Sequence, residues 1–133
     1  MTTAHIHSPG FLRLVEDAKA RIRHFSIDEF LQRLQGGERF ILVDVREESE
    51  WAKGRLPGAH HLGRGILERD IERLVPDPEA PIVLYCGGGF RSALAADNLQ
   101  RMGYKNVTSL DGGWREWNER GLPTATPDAP NAP

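Results

Sequence analysis

An α/β domain, built on a mostly parallel central sheet of four to five strands with helices on both faces, is what this sequence predicts. Three observations lead there. Nearly continuous apolar runs rich in branched residues occur at Phe40-Ile41-Leu42-Val43-Asp44-Val45 and Pro81-Ile82-Val83-Leu84-Tyr85-Cys86, and such runs suit strands buried on both faces. Helical periodicities lie between the runs, and strands alternating with helices imply right-handed crossovers between parallel neighbours. Finally, 133 residues make room for one domain, which buries roughly two-thirds of its unfolded surface and needs no metal or disulfide staple.

The elements follow in chain order. Ser8-Pro9-Gly10 starts a helix, with Ser8 as cap and Pro9 at the first helical position. Behind it, Phe11, Val15, Ala18 and Ile22 recur as one amphipathic stripe. His24-Phe25 reads as a very short edge strand. A second helix opens on the capping box Ser26-Ile27-Asp28-Glu29, buries Ile27, Phe30, Leu31 and Leu34, and stops at Gly36-Gly37. The first long strand covers 40–45, the second 81–86; Val107-Thr108-Ser109-Leu110 is a third and Ala59-His60-His61-Leu62 a short fourth. Helices are predicted over 48–53, 66–74, 92–102 and 113–120. Residues 123–133 are too poor in apolar groups to pack and are predicted to be a disordered tail. The chain thus divides into an extension with an amphipathic helix (1–25), the main domain (26–122) and the tail (123–133).

Composition narrows the function. Hydrophobic residues at 39% and charged residues at 27% are normal for a globular protein. Seventeen Lys+Arg against nineteen Asp+Glu leave a net charge of −2 with the signs mixed, without the basic surplus that phosphate backbones require. Nucleic acid is therefore not an expected partner. One cysteine excludes an internal disulfide, a Cys-x-x-Cys pair and an all-cysteine zinc site. The longest apolar run, Ile82 to Cys86, is too short to span a bilayer, and the N-terminus has no secretory pattern. The expected location is cytoplasmic, with no membrane partner.

Chemistry concentrates in Tyr85-Cys86-Gly87-Gly88-Gly89-Phe90-Arg91-Ser92. The single cysteine closes a buried parallel strand, the edge at which open α/β sheets bind ligands. Three glycines then allow backbone N–H groups to turn inward as a nest of donors, and a helix N-terminus adds its positive dipole end. Such surroundings favour a thiolate at Cys86 without a histidine base. Arg91 supplies a fixed cation for an anionic substrate. Phe90 is an apolar ring at the mouth of the pocket.

This loop resembles the active-site loop of single-domain rhodanese sulfurtransferases, and three further segments match that family in order. They are Leu42-Val43-Asp44-Val45-Arg46-Glu47, Trp51-Ala52-Lys53-Gly54-Arg55-Leu56-Pro57-Gly58-Ala59, and Leu110-Asp111-Gly112-Gly113-Trp114 with Trp117. Two positions depart from the pattern: Arg55 stands where the family usually has histidine, and Gly87 where it often has a basic residue. The resemblance implies sulfur transfer by a persulfide on Cys86, from a donor such as thiosulfate to cyanide or a thiol, with no cofactor and no metal. It implies Gly87, Gly88, Gly89, Phe90, Arg91 and Ser92 as the substrate-binding loop, with Arg91 and Arg64 compensating for the cation missing at Gly87.

Asp44 and Arg46, two apart at a strand end, leave on one face and are expected to brace the loop. Trp114 and Trp117 fit core packing. His60 and His61 face opposite ways on a strand and cannot share a metal, and His5 and His7 have no further ligand spaced to join them. Two rivals to sulfur transfer remain: a non-catalytic interaction module of the same family, and a cysteine phosphatase or arsenate reductase. The latter place five residues between cysteine and arginine, where this loop has four.

Overall fold

The computed structural model describes residues 7–127. Strands β1 (Arg23–Phe25), β2 (Ile41–Asp44), β3 (His60–His61), β4 (Ile82–Tyr85) and β5 (Val107–Leu110) form one sheet. Their order is β1-β5-β4-β2-β3, and every neighbouring pair is parallel. The helices are α1 (Pro9–Lys19), α2 (Ile27–Gln35), α3 (Glu48–Lys53), α4 (Leu67–Leu74), α5 (Phe90–Arg101) and α6 (Gly113–Glu119). Among the described residues no helix is long and apolar enough to cross a membrane.

Strand alternation divides the apolar residues into two cores. Val43, Val45, Ile82, Leu84 and Cys86 pack with Leu67 and Ile71 of α4 and Ala95, Ala96 and Leu99 of α5. Leu42, Val83 and Tyr85 face the other way, against Ile27 and Phe30 of α2, Leu56, and Trp117 of α6. The period of two therefore carries Cys86 to the side of the sheet where α5 begins.

Helix α1 buries Val15 and Ala18 and is clamped to α5 by Arg21, whose Nε and Nη2 meet the Asp97 carboxylate at 3.0 and 2.7 Å. β1 then joins the sheet beside β5, so the extension is built into the domain.

Three local expectations are corrected. Ser8 is the N-cap residue of α1 and its carbonyl accepts the Leu12 N–H at 3.0 Å, but its side chain makes no capping hydrogen bond; the ring of Pro9 sets the first helical φ without it. The box at Ser26 is half closed: its hydroxyl accepts the Glu29 N–H at 3.1 Å, but the Glu29 carboxylate pairs with Arg33 one turn on. The stretch predicted as tail from residue 123 is anchored to the domain at Ala125, while Pro123, Thr124 and Pro127 are exposed. Ala125 exchanges backbone hydrogen bonds with Arg55 at 2.8 and 2.9 Å and is buried, while the Pro123 carbonyl accepts the Trp117 indole N–H. Backbone pairing, which needs no apolar side chain, holds this segment. The remainder of the predicted tail, 128–133, and His5 lie outside the described residues.

One ion pair sits at the centre of the molecule. Asp44 and Arg46 are 0% and 2% exposed; Arg46 Nε and Nη2 reach the Asp44 carboxylate at 3.0 and 2.7 Å, and Nη2 also donates to the Gly54 carbonyl at 2.6 Å. Removing one member of such a pair leaves the other as an uncompensated buried charge. Asp44→Ala is therefore expected to lower the unfolding free energy by roughly 3–5 kcal/mol. A urea midpoint within experimental error of wild type would contradict this.

Candidate active site

Cys86 follows the last residue of β4, and its side chain is enclosed by α5. The sulfur accepts the Gly89 N–H at 3.2 Å and the Ser92 N–H at 3.3 Å, and lies 3.5 Å from the Ser92 hydroxyl. That hydroxyl is 2.8 Å from the hydroxyl of Ser109 on β5. As a thiol, Cys86 donates to Ser92. As a thiolate it accepts instead, and the Ser109→Ser92→Sγ chain supplies a third donor beside the two amides.

The loop takes this shape because its carbonyls are held from outside. The first turn of α6 donates Trp114 N–H to the Cys86 carbonyl at 2.8 Å and Arg115 N–H to the Gly87 carbonyl at 2.9 Å, using helix-start groups that have no partner within their own helix. With carbonyls turned outward, the amides are left to turn toward the sulfur. Gly89 sits at φ +97°, a left-handed conformation that a side chain disfavours. At Gly113 a Cβ would collide with the Cys86 carbonyl, so the two backbones approach only because that position is glycine.

Two guanidinium groups lie over the glycines. Arg91 Nη2 stands 3.1 Å from the point a Cβ on Gly87 would occupy, and Arg115 Nη1 stands 3.2 Å from the corresponding point on Gly88. Cations that a basic residue after the cysteine would have carried are thus delivered from α5 and α6. They are not equivalent. Arg91 forms a fork with Glu50 of α3, at 2.9 and 3.1 Å, and the Arg91 guanidinium holds the Glu50 carboxyl below the ordinary carboxylate range. Glu50 also accepts the Glu47 N–H at 3.0 Å, so its position is set by its own helix start. Arg115 is in no ion pair among the described residues.

Cys86, Gly88, Arg91, Glu50 and Arg115 line a cavity of about 340 Å³ together with Phe90 of the loop, His7 just before α1 and Phe11 in its first turn. Arg64 does not line it: its guanidinium turns to Glu68 on α4, 3.4 Å away. An acidic residue one turn on in sequence captures that side chain, whereas Arg115, which the sequence did not single out, lines the cavity. Asp44 and Arg46 lie beneath, the Arg46 guanidinium 4.9 Å from the Trp114 ring centroid, and do not reach the cavity. A larger cleft of about 570 Å³ opens at the other ends of the strands, near Arg23, Arg33 and Arg39. No cysteine lines it, and Arg33 there is already paired with Glu29 and Glu38.

Glu50, Arg115, His7 and Phe11 escape the sequence reading. Glu50 is 41 positions from Arg91, and no local spacing reveals that pairing. For Arg115, the signal available was its place just after the Gly-Gly-Trp turn.

Comparison with known proteins places the sequence in a family. The profile of a family described as the rhodanese-like domain matches residues 26–120. A sulfurtransferase of Allochromatium vinosum is 32% identical over 107 residues, covering 80% of this chain and 98% of its own. The thiosulfate sulfurtransferase GlpE of Shewanella oneidensis is 31% identical over 97 residues, covering 73% and 93%. Among solved structures, the polysulfide-sulfur transferase homodimer of Wolinella succinogenes is similar with a TM-score of 0.73 and 33% identity over 88% of each chain.

The Glu50–Arg91 fork yields a prediction. A carboxyl whose pKa is lowered by its partner keeps the pair intact throughout the neutral range and loses it only as pH falls through that lowered value. At neutral pH Arg91 is therefore occupied and Glu50 is a negative charge inside the cavity. Glu50→Gln should lower KM for an anionic donor by roughly two- to fivefold, the scale of a part-exposed pair, and the gain should shrink with added salt. An unchanged or raised KM would show that Glu50 holds Arg91 in its productive position.

Proposed function

The chain belongs to the rhodanese-like domain family, and on that footing we propose that it moves a sulfane sulfur from an anionic donor such as thiosulfate to a thiol or cyanide through a persulfide on Cys86. The observation that carries this reading is the sulfur's surroundings: two amides and a hydroxyl converge on one atom at the end of β4.

In the first step the Cys86 thiolate attacks the outer sulfur of thiosulfate. A bond forms between the two sulfurs, the bond to the sulfonate sulfur breaks, and sulfite leaves with that electron pair. In the second step an acceptor thiol attacks the outer sulfur of the persulfide. The bond to Sγ breaks, its electron pair returns to Cys86, and the proton passes to the new persulfide. Donors already in place stabilise charge at Sγ before and after each transfer without reorganising. Arg115 holds the anionic part of the donor. Such a route is two-step and covalent, so ping-pong kinetics are expected. A lone thiol cycling through a persulfide suits a reducing compartment, in keeping with a cytoplasmic location.

The rival readings fit less well. A phosphate cradle requires its loop arginine to converge on the bound oxyanion, whereas Arg91 turns to Glu50 and the loop is one residue short. An interaction module has no use for a buried cysteine held by three donors.

Wild-type protein treated with thiosulfate should gain the mass of a single sulfur, lose it to cyanide or a thiol, and hydrolyse no aryl phosphate. Cys86→Ser should neither gain sulfur nor transfer it, because a hydroxyl gives no comparable anion at neutral pH. Transfer persisting in that variant, or phosphatase turnover without a persulfide, would overturn the proposal. A separate measurement distinguishes the two cations. Arg115→Ala should cost about tenfold in kcat/KM for thiosulfate (~1.4 kcal/mol), and the cost should exceed that of Arg91→Ala. The reverse order would return the donor-binding role to Arg91.

A further inference from the structure

The matched family range begins at residue 26, yet part of the wall facing Cys86 comes from before it. His7 and Phe11 enclose Phe90: ring centroids are 4.6 Å apart for His7–Phe90, 6.1 Å for Phe11–Phe90 and 5.2 Å for His7–Phe11. The Lys19 ammonium sits 5.9 Å from the Phe90 centroid. This wall is anchored, because α1 is buried through Val15 and Ala18 and tied by Arg21 to Asp97.

The cavity is consequently mixed in character. Its lining combines the rings of His7, Phe11 and Phe90 with the guanidinium groups of Arg91 and Arg115, the Glu50 carboxylate and Cys86. Its volume of about 340 Å³ is roughly eleven times the ~30 Å³ that a water occupies in the liquid. A donor as small as thiosulfate leaves most of that space unfilled. A ligand that fills it presents a flat apolar body to the rings and an anionic group to Arg115.

Resting on the persulfide reading above, we propose that α1 is an acceptor-selecting element and that the preferred acceptor is a thiol borne on an aromatic body that also carries an anionic group. The thiol reaches the outer sulfur of the Cys86 persulfide, its ring packs edge or face on Phe11 and Phe90, and its anion lies against Arg115. Sulfur passes with the same balance as before: the acceptor's S–S bond forms, the bond to Sγ breaks, and the proton stays on the product persulfide.

Two probe acceptors isolate the ring. 4-Mercaptobenzoate and mercaptoacetate both pair a thiol with a carboxylate, and only the first carries an aromatic body. The measured quantity is the ratio of their rates in discharging the persulfide of full-length, thiosulfate-loaded protein. Intrinsic thiol reactivity cancels when this ratio is compared between variants. Phe11→Ala should lower the ratio about tenfold and Phe11→Tyr should keep it within about twofold of wild type. Arg21→Ala, which loosens α1 without substituting any residue of the cavity lining, should lower it in the same direction. A ratio equal in wild type, Phe11→Ala and Arg21→Ala overturns the assignment of α1 while leaving sulfur transfer intact. Wild-type protein that takes up no sulfur overturns both.

Discussion

Two hydrogen bonds from the start of α6 to the carbonyls of Cys86 and Gly87 are the constraint on which the site depends. A loop of glycines has many conformations of similar energy, and ordering it carries a large entropic cost. Fastening its carbonyls on the outside selects the family of conformations in which the amides converge on Sγ. Everything that places α6 therefore also places the donors around the sulfur. Trp117 is buried and ties to Pro123, and the backbone pairing of Ala125 with Arg55 fixes the chain beyond it. From below, Arg46 is locked by Asp44 and by the Gly54 carbonyl and presents its face to Trp114. The buried ion pair thus acts on the chemistry at a distance, through a tryptophan and a helix start.

Charge at the cavity follows a second logic. Nucleophile and donor are both anions in the proposed reaction, so cations favour their encounter. Cations that bound the donor and the departing sulfite equally well would lower KM without raising kcat. Glu50 offsets Arg91 and leaves Arg115 as the less committed charge. Backbone amides and the Ser92 hydroxyl are aimed at the sulfur itself, where charge is regenerated when the acceptor takes the outer atom.

Much of the fold is legible in the sequence because it rests on local pattern. The apolar runs give β2 and β4, and even the two-residue run His24-Phe25 belongs to β1. Ser26 caps α2, and the cysteine, the glycines and the helix start behind them lie in one contiguous segment. What escapes is whatever depends on partners distant along the chain. Arg91 reads as a substrate cation because its neighbours in sequence do not include Glu50. Arg64 reads as a substitute cation although Glu68, one helical turn ahead, captures it. Residues 123–127 read as tail because apolar content predicts side-chain burial and is silent on backbone pairing with Arg55. Arg115 is hidden for a related reason: α6 reads as a packing helix from its two tryptophans, and nothing in their spacing reports that Arg115, one of the two residues between them, overhangs Gly88.

α1 extends the same reasoning to how the site acquires selectivity. Its stripe predicts a buried face, and Val15 and Ala18 form one; the stripe does not say which part of the domain that face meets. Docking on α5, the helix whose first turn binds the sulfur, decides the matter geometrically. α1 lies on α5 with its start over Phe90, which Phe11 of its first turn and His7 just before the helix both contact. The donors that act on Cys86 belong to the loop, α5 and β5, all within the matched family range. The rings that line the cavity come largely from outside that range. Substitutions on α1 can therefore reshape what approaches the sulfur while leaving its hydrogen-bond partners in place, because none of the groups bonded to Sγ comes from α1.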